Sequence, residues 1–158
     1  MYHTTEIVRS FPADIAGMNE MYELEKVFYQ HKEDAITRLT NFEKIIKDEV
    51  NEIDEVIATA EFQDYDQLAV RTELADLLGD IIVYCASEAL RWDIPLADVL
   101  QIIMNSNKSK LGADGLPIKD ETGKFLKGPN YWKPEPKITY LLREMETFGM
   151  DPSTASSI

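Results

Sequence analysis

The chain has 158 residues, of which 44% are hydrophobic and 28% charged, with a formal net charge of −13. That length and composition suit one ordinary globular domain, residues 1–158, with a real core. The acidic balance excludes general nucleic-acid binding, which needs a basic footprint. No run of 18 apolar residues is present, the N-terminus MYHTTEIVRS lacks a signal-peptide core, and the single Cys85 allows no disulfide within the chain. A cytoplasmic protein with neither membrane nor nucleic-acid partners is the expectation.

In chain order, the first helical pattern runs over about Asp14–Lys32, where Ile15, Met18 and Tyr22 begin an apolar stripe. A second runs from about Asp34 to Ala60. The polar break EFQDYD leads to a third, from about Asp66 to Arg91. RWDIPLAD then turns the chain, Pro95 suits a helix first turn, and a fourth helix covers about Leu96–Ser109. Beyond it the text is rich in Gly and Pro, and PIKD-ETG-KFLK reads as a short hairpin. TYLLREMETF adds a last helical turn or two, and DPSTASSI reads as a frayed tail. The fold class is therefore all-α: a four-to-five-helix bundle, with a helical core over about 14–110, a basic loop over 111–137, and a C-terminal helix and tail over 138–158.

Acids interrupt this apolar pattern in two places. At about 100° per residue, with Glu73 at zero, Asp76 falls near 300° and Asp80 near 340°. Nearly all other directions of the third helix are apolar, including Leu74, Leu77, Leu78, Ile81, Ile82 and Cys85. A helix apolar almost all round is buried, and buried acids must be paired, neutralised or bound to a cation. Mg²⁺ is the economical partner, since carboxylate oxygens are its natural ligands. On the second helix Glu49 borders the core stripe of Ile46, Val50, Ile53 and Ile57, and Glu52 lies at i, i+3 from it, able to reach the same ion. Alone, this first pair also reads as a solvated acidic face.

Charge is unevenly spread. From Asn105 to Lys137, seven lysines stand against four acids, so the segment is about +3 and the remainder about −16. Such a basic loop on an acidic body suits a ligand carrying phosphates and metal ions, though a solvated lysine-rich hairpin has the same charge.

Written out, the acidic pattern is Glu-x-x-Glu, twenty residues, then Glu-x-x-Asp. Downstream come Asn107-Lys108-Ser109-Lys110-Leu111, Asp114-Gly115, Gly123-Lys124 and Lys127-Gly128-Pro129-Asn130-Tyr131. Over roughly residues 15–135 the text resembles the all-α nucleoside triphosphate pyrophosphohydrolases, in particular a MazG-like, phosphoribosyl-ATP diphosphohydrolase-like branch. The resemblance implies Mg²⁺ or Mn²⁺ held by Glu49, Glu52, Glu73 and Asp76; Asp80, on the same strip as Glu73 and Asp76, suits a further ion or an orienting contact to a ligand, and equally a salt-bridged core acid. It also implies hydrolysis of (deoxy)nucleoside triphosphates to monophosphate and pyrophosphate, in nucleotide-pool sanitation. Glu49 and Glu52 are the leading catalytic candidates. Asp48 stands where many relatives carry a glutamate, which puts its carry-over as the base in doubt. Lys110 and Lys127 become candidates for the phosphates, Asn107 for the loop or sugar, and Asn19, Tyr22, Tyr131 and Trp132 for a base pocket. Relatives assemble as dimers or tetramers, which implies a homodimer or homotetramer.

Three rivals remain. A dUTPase/dUDPase-type or phosphoribosyl-ATP activity differs only in selectivity. A di-iron bundle requires Glu-x-x-His motifs, and no histidine follows these acids at that spacing. A non-catalytic acidic helical interaction protein predicts no stabilisation by Mg²⁺.

Overall fold

The computed structural model describes residues 4–62 and 64–149, and the expected frayed tail lies outside them. The described residues form six α-helices: α1 (Thr4–Met21), α2 (Lys32–Asn51), α3 (Ile53–Glu61), α4 (Gln67–Arg91), α5 (Leu96–Lys108) and α6 (Glu135–Phe148). The all-α expectation holds, with one helix more than the four to five anticipated. None of these helices is long and apolar enough to cross a membrane. The chain divides into two compact units, Met1–Asp93 and Ile94–Ile158, where the sequence reading takes 1–158 as one domain.

In the first unit α4 is the central rod, and α1, α2 and α3 pack against it. Asp66 caps its start, accepting from Leu68 N at 2.9 Å and Ala69 N at 3.2 Å, which satisfies two donors otherwise orphaned at a helix N-terminus. The core is formed by Ile15, Val27, Val56, Leu77, Ala86 and Ala89. Burial all round, expected for the whole of α4, is confined to its end, Ala86–Ala89. Towards its start Leu77 is buried, whereas Leu74, Leu78, Ile82 and Cys85 reach the surface.

Two helix boundaries differ from the sequence reading. The first helix begins ten residues earlier, runs through Pro12 and stops at Met21 instead of Lys32. It stops because Glu23 adopts a left-handed conformation, φ 55°. Glu23 N donates to Glu20 O at 3.1 Å and Leu24 N to Asn19 O at 2.8 Å. Those two bonds are the Schellman pattern, which uses carbonyls left free at a helix end. The second expected helix is broken in two at Glu52, which forms the end of α2 and the start of α3. Glu52 N donates to Glu49 O at 3.1 Å, a tightened last turn. Neither Gly nor Pro is present there, but Val50, Asn51, Ile53 and Asp54 all rank low in helix propensity.

In the second unit α5 packs on α6. Ser106 Oγ donates to Trp132 O at 2.9 Å, and Trp132 N donates to Ser109 Oγ at 3.2 Å, tying the long loop to the end of α5. The expected hairpin is present as one antiparallel bridge, Lys119–Phe125, with Gly123 at φ 83° in its turn. The last helix spans 14 residues instead of a turn or two, opening on Pro134-Glu135-Pro136 and ending at a left-handed Gly149.

Candidate functional site

On α4, Asp76, Asp80, Tyr84 and Glu88 follow one another at i, i+4, so they share a face along three turns. The far end of this stripe is locked to α2. Arg38 Nε donates to both carboxylate oxygens of Glu88, at 3.0 and 2.9 Å, and Trp92 Nε1 donates to Glu88 Oε1 at 2.6 Å. Glu88 is only 7% exposed, and this clasp supplies the pairing that a buried charge requires. Tyr29 stacks on Trp92, centroids 6.0 Å apart. Because the chains of α2 and α4 run in opposite senses from Arg38–Glu88, the middle of the stripe comes opposite Glu49.

Glu49 is half-buried, and its Oε2 is enclosed with no hydrogen-bond partner. Its carboxyl is pushed above the ordinary glutamate value, first by desolvation, then by the charges of Glu52, Asp80 and Asp48, against a hydrogen bond from the Tyr84 hydroxyl that favours the ionised form. The Tyr84 phenol is raised in turn, chiefly by the negative charge of Glu49, with burial and Asp80 adding to it. Among the described residues, then, Glu49, Glu52, Asp80 and Tyr84 form one interacting group. Asp48 and Glu52 are exposed, as are Asp76 and Asp80. Glu73 is half-buried and carries the second enclosed, unpartnered oxygen, Oε2. Crowded carboxylates with two enclosed oxygens lacking donors are the chemistry that a hard divalent cation satisfies. As the side chains are placed, no three of the described Asp, Glu, His or Cys groups close on a common point.

The remaining sequence candidates lie elsewhere. Asn19 is buried between α1 and α4, its Nδ2 donating to Ser87 O at 3.2 Å and its Oδ1 accepting from Ser87 Oγ at 2.6 Å, so both ends of its amide are committed to packing. Tyr22 is exposed beside the α1 terminus. In the second unit Lys110 Nζ donates to Asn107 Oδ1 at 2.7 Å. Lys127 stands 4.6 Å from the Tyr131 ring centroid, and Lys137 stands 3.7 Å from that of Trp132. Tyr84 and Glu88 were missed by sequence reasoning. Their signal was available: each continues, one turn further on, the spacing already set by Asp76 and Asp80.

The described fold is similar to a crystal structure at 1.78 Å resolution of "a putative NTP pyrophosphohydrolase" from Exiguobacterium sp. 255-15. The match covers 89% of this chain and 79% of that one, with a TM-score of 0.50 and 18% sequence identity, and shows that the two share an all-α fold. No protein-family model matches the chain, and no curated protein matches it.

Proposed function

We propose that the protein hydrolyses nucleoside triphosphates to monophosphate and pyrophosphate with Mg²⁺ or Mn²⁺, as a MazG-like pyrophosphohydrolase in cytoplasmic nucleotide-pool sanitation. The single observation that carries this is the pair of enclosed carboxylate oxygens without donors, Glu49 Oε2 and Glu73 Oε2, on the two helical layers that the resemblance assigns to the metal. The fold shared with the Exiguobacterium structure, described as a pyrophosphohydrolase, supports the reaction class.

Glu49 and Glu73 would hold the ion through their enclosed oxygens, and the exposed Glu52, Asp76 and Asp80 would be the further ligands. When bound, the cation neutralises charge on the phosphoryl oxygens, the main electrostatic demand of this reaction. Without it, Glu49 takes up a proton more readily than an ordinary glutamate, first because burial disfavours its charged form and then because Glu52, Asp80 and Asp48 repel that charge. Tyr84 orients Glu49 through its hydroxyl. Glu49 and Glu52 are the leading groups to receive the proton of the attacking water, with the exposed Asp48 behind them. Lys127, with Tyr131 beside it, is the group of the second unit suited to the phosphate and nucleoside of the triphosphate, whereas Lys110 and Asn107 line a separate pocket.

A homodimer or homotetramer is part of the proposal. Leu74, Leu78 and Ile82 on α4 are 37, 51 and 56% exposed, and Ile53 and Ile57 on α3 are 37 and 48% exposed. Each helix thus presents exposed apolar residues at i, i+4 spacing, and exposed apolar stripes of this kind mark an interface.

The test is pyrophosphate release from a panel of canonical and damaged (deoxy)nucleoside triphosphates, dUTP and phosphoribosyl-ATP, with and without Mg²⁺. Mg²⁺-dependent release from at least one is expected. Absence of release from every member would leave an acidic helical interaction protein as the reading. Light scattering on the same preparation should give twice or four times the chain mass.

A further inference from the structure

The second unit contains a cavity of about 270 Å³ that the carboxylate chemistry does not use. Its walls are the apolar side chains of Leu111, Pro117, Ile118, Phe125 and Leu126, and its polar groups are Asn107 and Lys110. The cavity is built, because backbone bonds tie together the segments that carry its walls. Leu126 N donates to Ile118 O at 2.8 Å, Gly112 N to Leu116 O at 2.8 Å, and Gly128 N to Lys110 O at 2.9 Å. The last of these needs glycine: a Cβ at Gly128 would stand 2.0 Å from Leu111 O, so only a bare backbone lets the loop close on the end of α5.

An apolar pocket with a few convergent polar groups is the usual form of a small-molecule site, and such sites span about 300–1,000 Å³. Just below that range, this one takes a ring and leaves the rest of the ligand outside. Its walls are otherwise left wet, with Phe125 62% and Leu126 42% exposed. The charge is definite. Lys110 is half-buried in the lining with its ammonium steadied by Asn107, and Lys119 Nζ lies 4.8 Å from the Phe125 ring centroid. Both belong to Asn105–Lys137, a segment of this acidic chain in which seven lysines stand against four acids. Apolar walls beside two cations fit a flat ring bearing an anionic group.

We propose that this pocket is a ligand site in its own right for a nucleoside monophosphate, its base against Phe125, Ile118 and Leu126 and its phosphate on Lys110. The choice of nucleotides among aromatic anions rests on the reaction proposed above, whose product is such a molecule. Binding here requires no metal, which separates the site from the carboxylates.

The test is calorimetric titration of the full chain with AMP in excess chelator, beside adenosine (ring without charge) and inorganic phosphate (charge without ring). Saturable AMP binding is expected, with both fragments weaker by about tenfold or more, the loss of one stacked ring or one charge-assisted contact. Lys110→Ala and Phe125→Ala should each weaken AMP by a similar factor, Lys110→Arg should retain it, and Glu49→Gln should not alter it. No AMP binding at millimolar concentration would overturn the proposal. So would binding indifferent to Lys110→Ala and Phe125→Ala, or binding lost in Glu49→Gln. Pyrophosphate release is measured separately with metal, so either reading can fail while the other stands.

Discussion

Replacing Glu88 with alanine should unlock α2 from α4 and lower stability by about 3–5 kcal/mol, the usual cost of removing one partner from a buried ion pair. Three features of the structure place the effect in that range. Glu88 is 7% exposed, and the Arg38 side chain that would lose its counter-charge is 18% exposed. The Trp92 indole N–H would lose its acceptor as well. For a chain of this size about 2–4 °C of melting temperature accompanies each kcal/mol, so Tm should fall by about 6–20 °C. Urea melts followed by circular dichroism measure the loss directly. Arg38→Met/Glu88→Leu together should recover most of it, since a buried pair replaced by packed apolar groups is often neutral. A loss below about 1 kcal/mol, the size of an exposed pair, would refute the clasp. The same variant bears on function. Glu88 is two turns from Asp80 on α4, so loosening that end should disturb the meeting of Asp80 with Glu49 and depress turnover even where the protein remains folded.

Further outcomes follow from the site and the loop. Glu49 has a raised carboxyl value, so its stabilising contribution is present below the ordinary value of 4.5 and lost as pH rises through the raised one. Glu49→Gln should therefore melt higher than the parent at pH 7.5 without divalent cation, and the two curves should converge below pH 4.5. Tyr84→Phe removes the donor to Glu49 and should lower kcat about tenfold, the worth of a hydrogen bond to a charged group, with the acid limb of the pH–rate profile moved upward. Glu73→Gln should abolish turnover while leaving the circular-dichroism spectrum and melting transition in place; full activity in that variant would exclude Glu73 as a required ligand. Gly128→Ala forces a Cβ to 2.0 Å from Leu111 O and should cost about 1–3 kcal/mol in a urea melt.

The helices were legible where their boundaries carry a local chemical signal. Asp66 ahead of a long apolar run and Pro95 before another mark the starts of α4 and α5 to within a residue. Where the boundary depends on a backbone state, the sequence was silent. Glu23 turns left-handed without the glycine that usually announces it, and Glu52 breaks a helix with no proline or glycine nearby. Burial was over-read on α4 because apolar periodicity reports what can be covered, whereas the described chain covers Ala86–Ala89 and leaves Leu78 and Ile82 outside. At the site, i, i+3 spacing identified the acidic residues but not which of them interact. Asp80, expected only as a further ligand or orienting group, is the α4 acid whose charge reaches Glu49, because the Arg38–Glu88 clasp sets the offset between the two helices. Asn19 shows the converse: a polar residue inside an apolar stripe, suggestive of a ligand, is fully occupied by Ser87.

Titration of Mg²⁺ into the metal-free protein by calorimetry, with Glu49→Gln and Glu73→Gln in parallel, addresses the carboxylate cluster most directly. Saturable binding in the parent that weakens sharply in both variants is the predicted result. Heat that is absent from the parent, or identical in all three proteins, would contradict a shared cation between these helices.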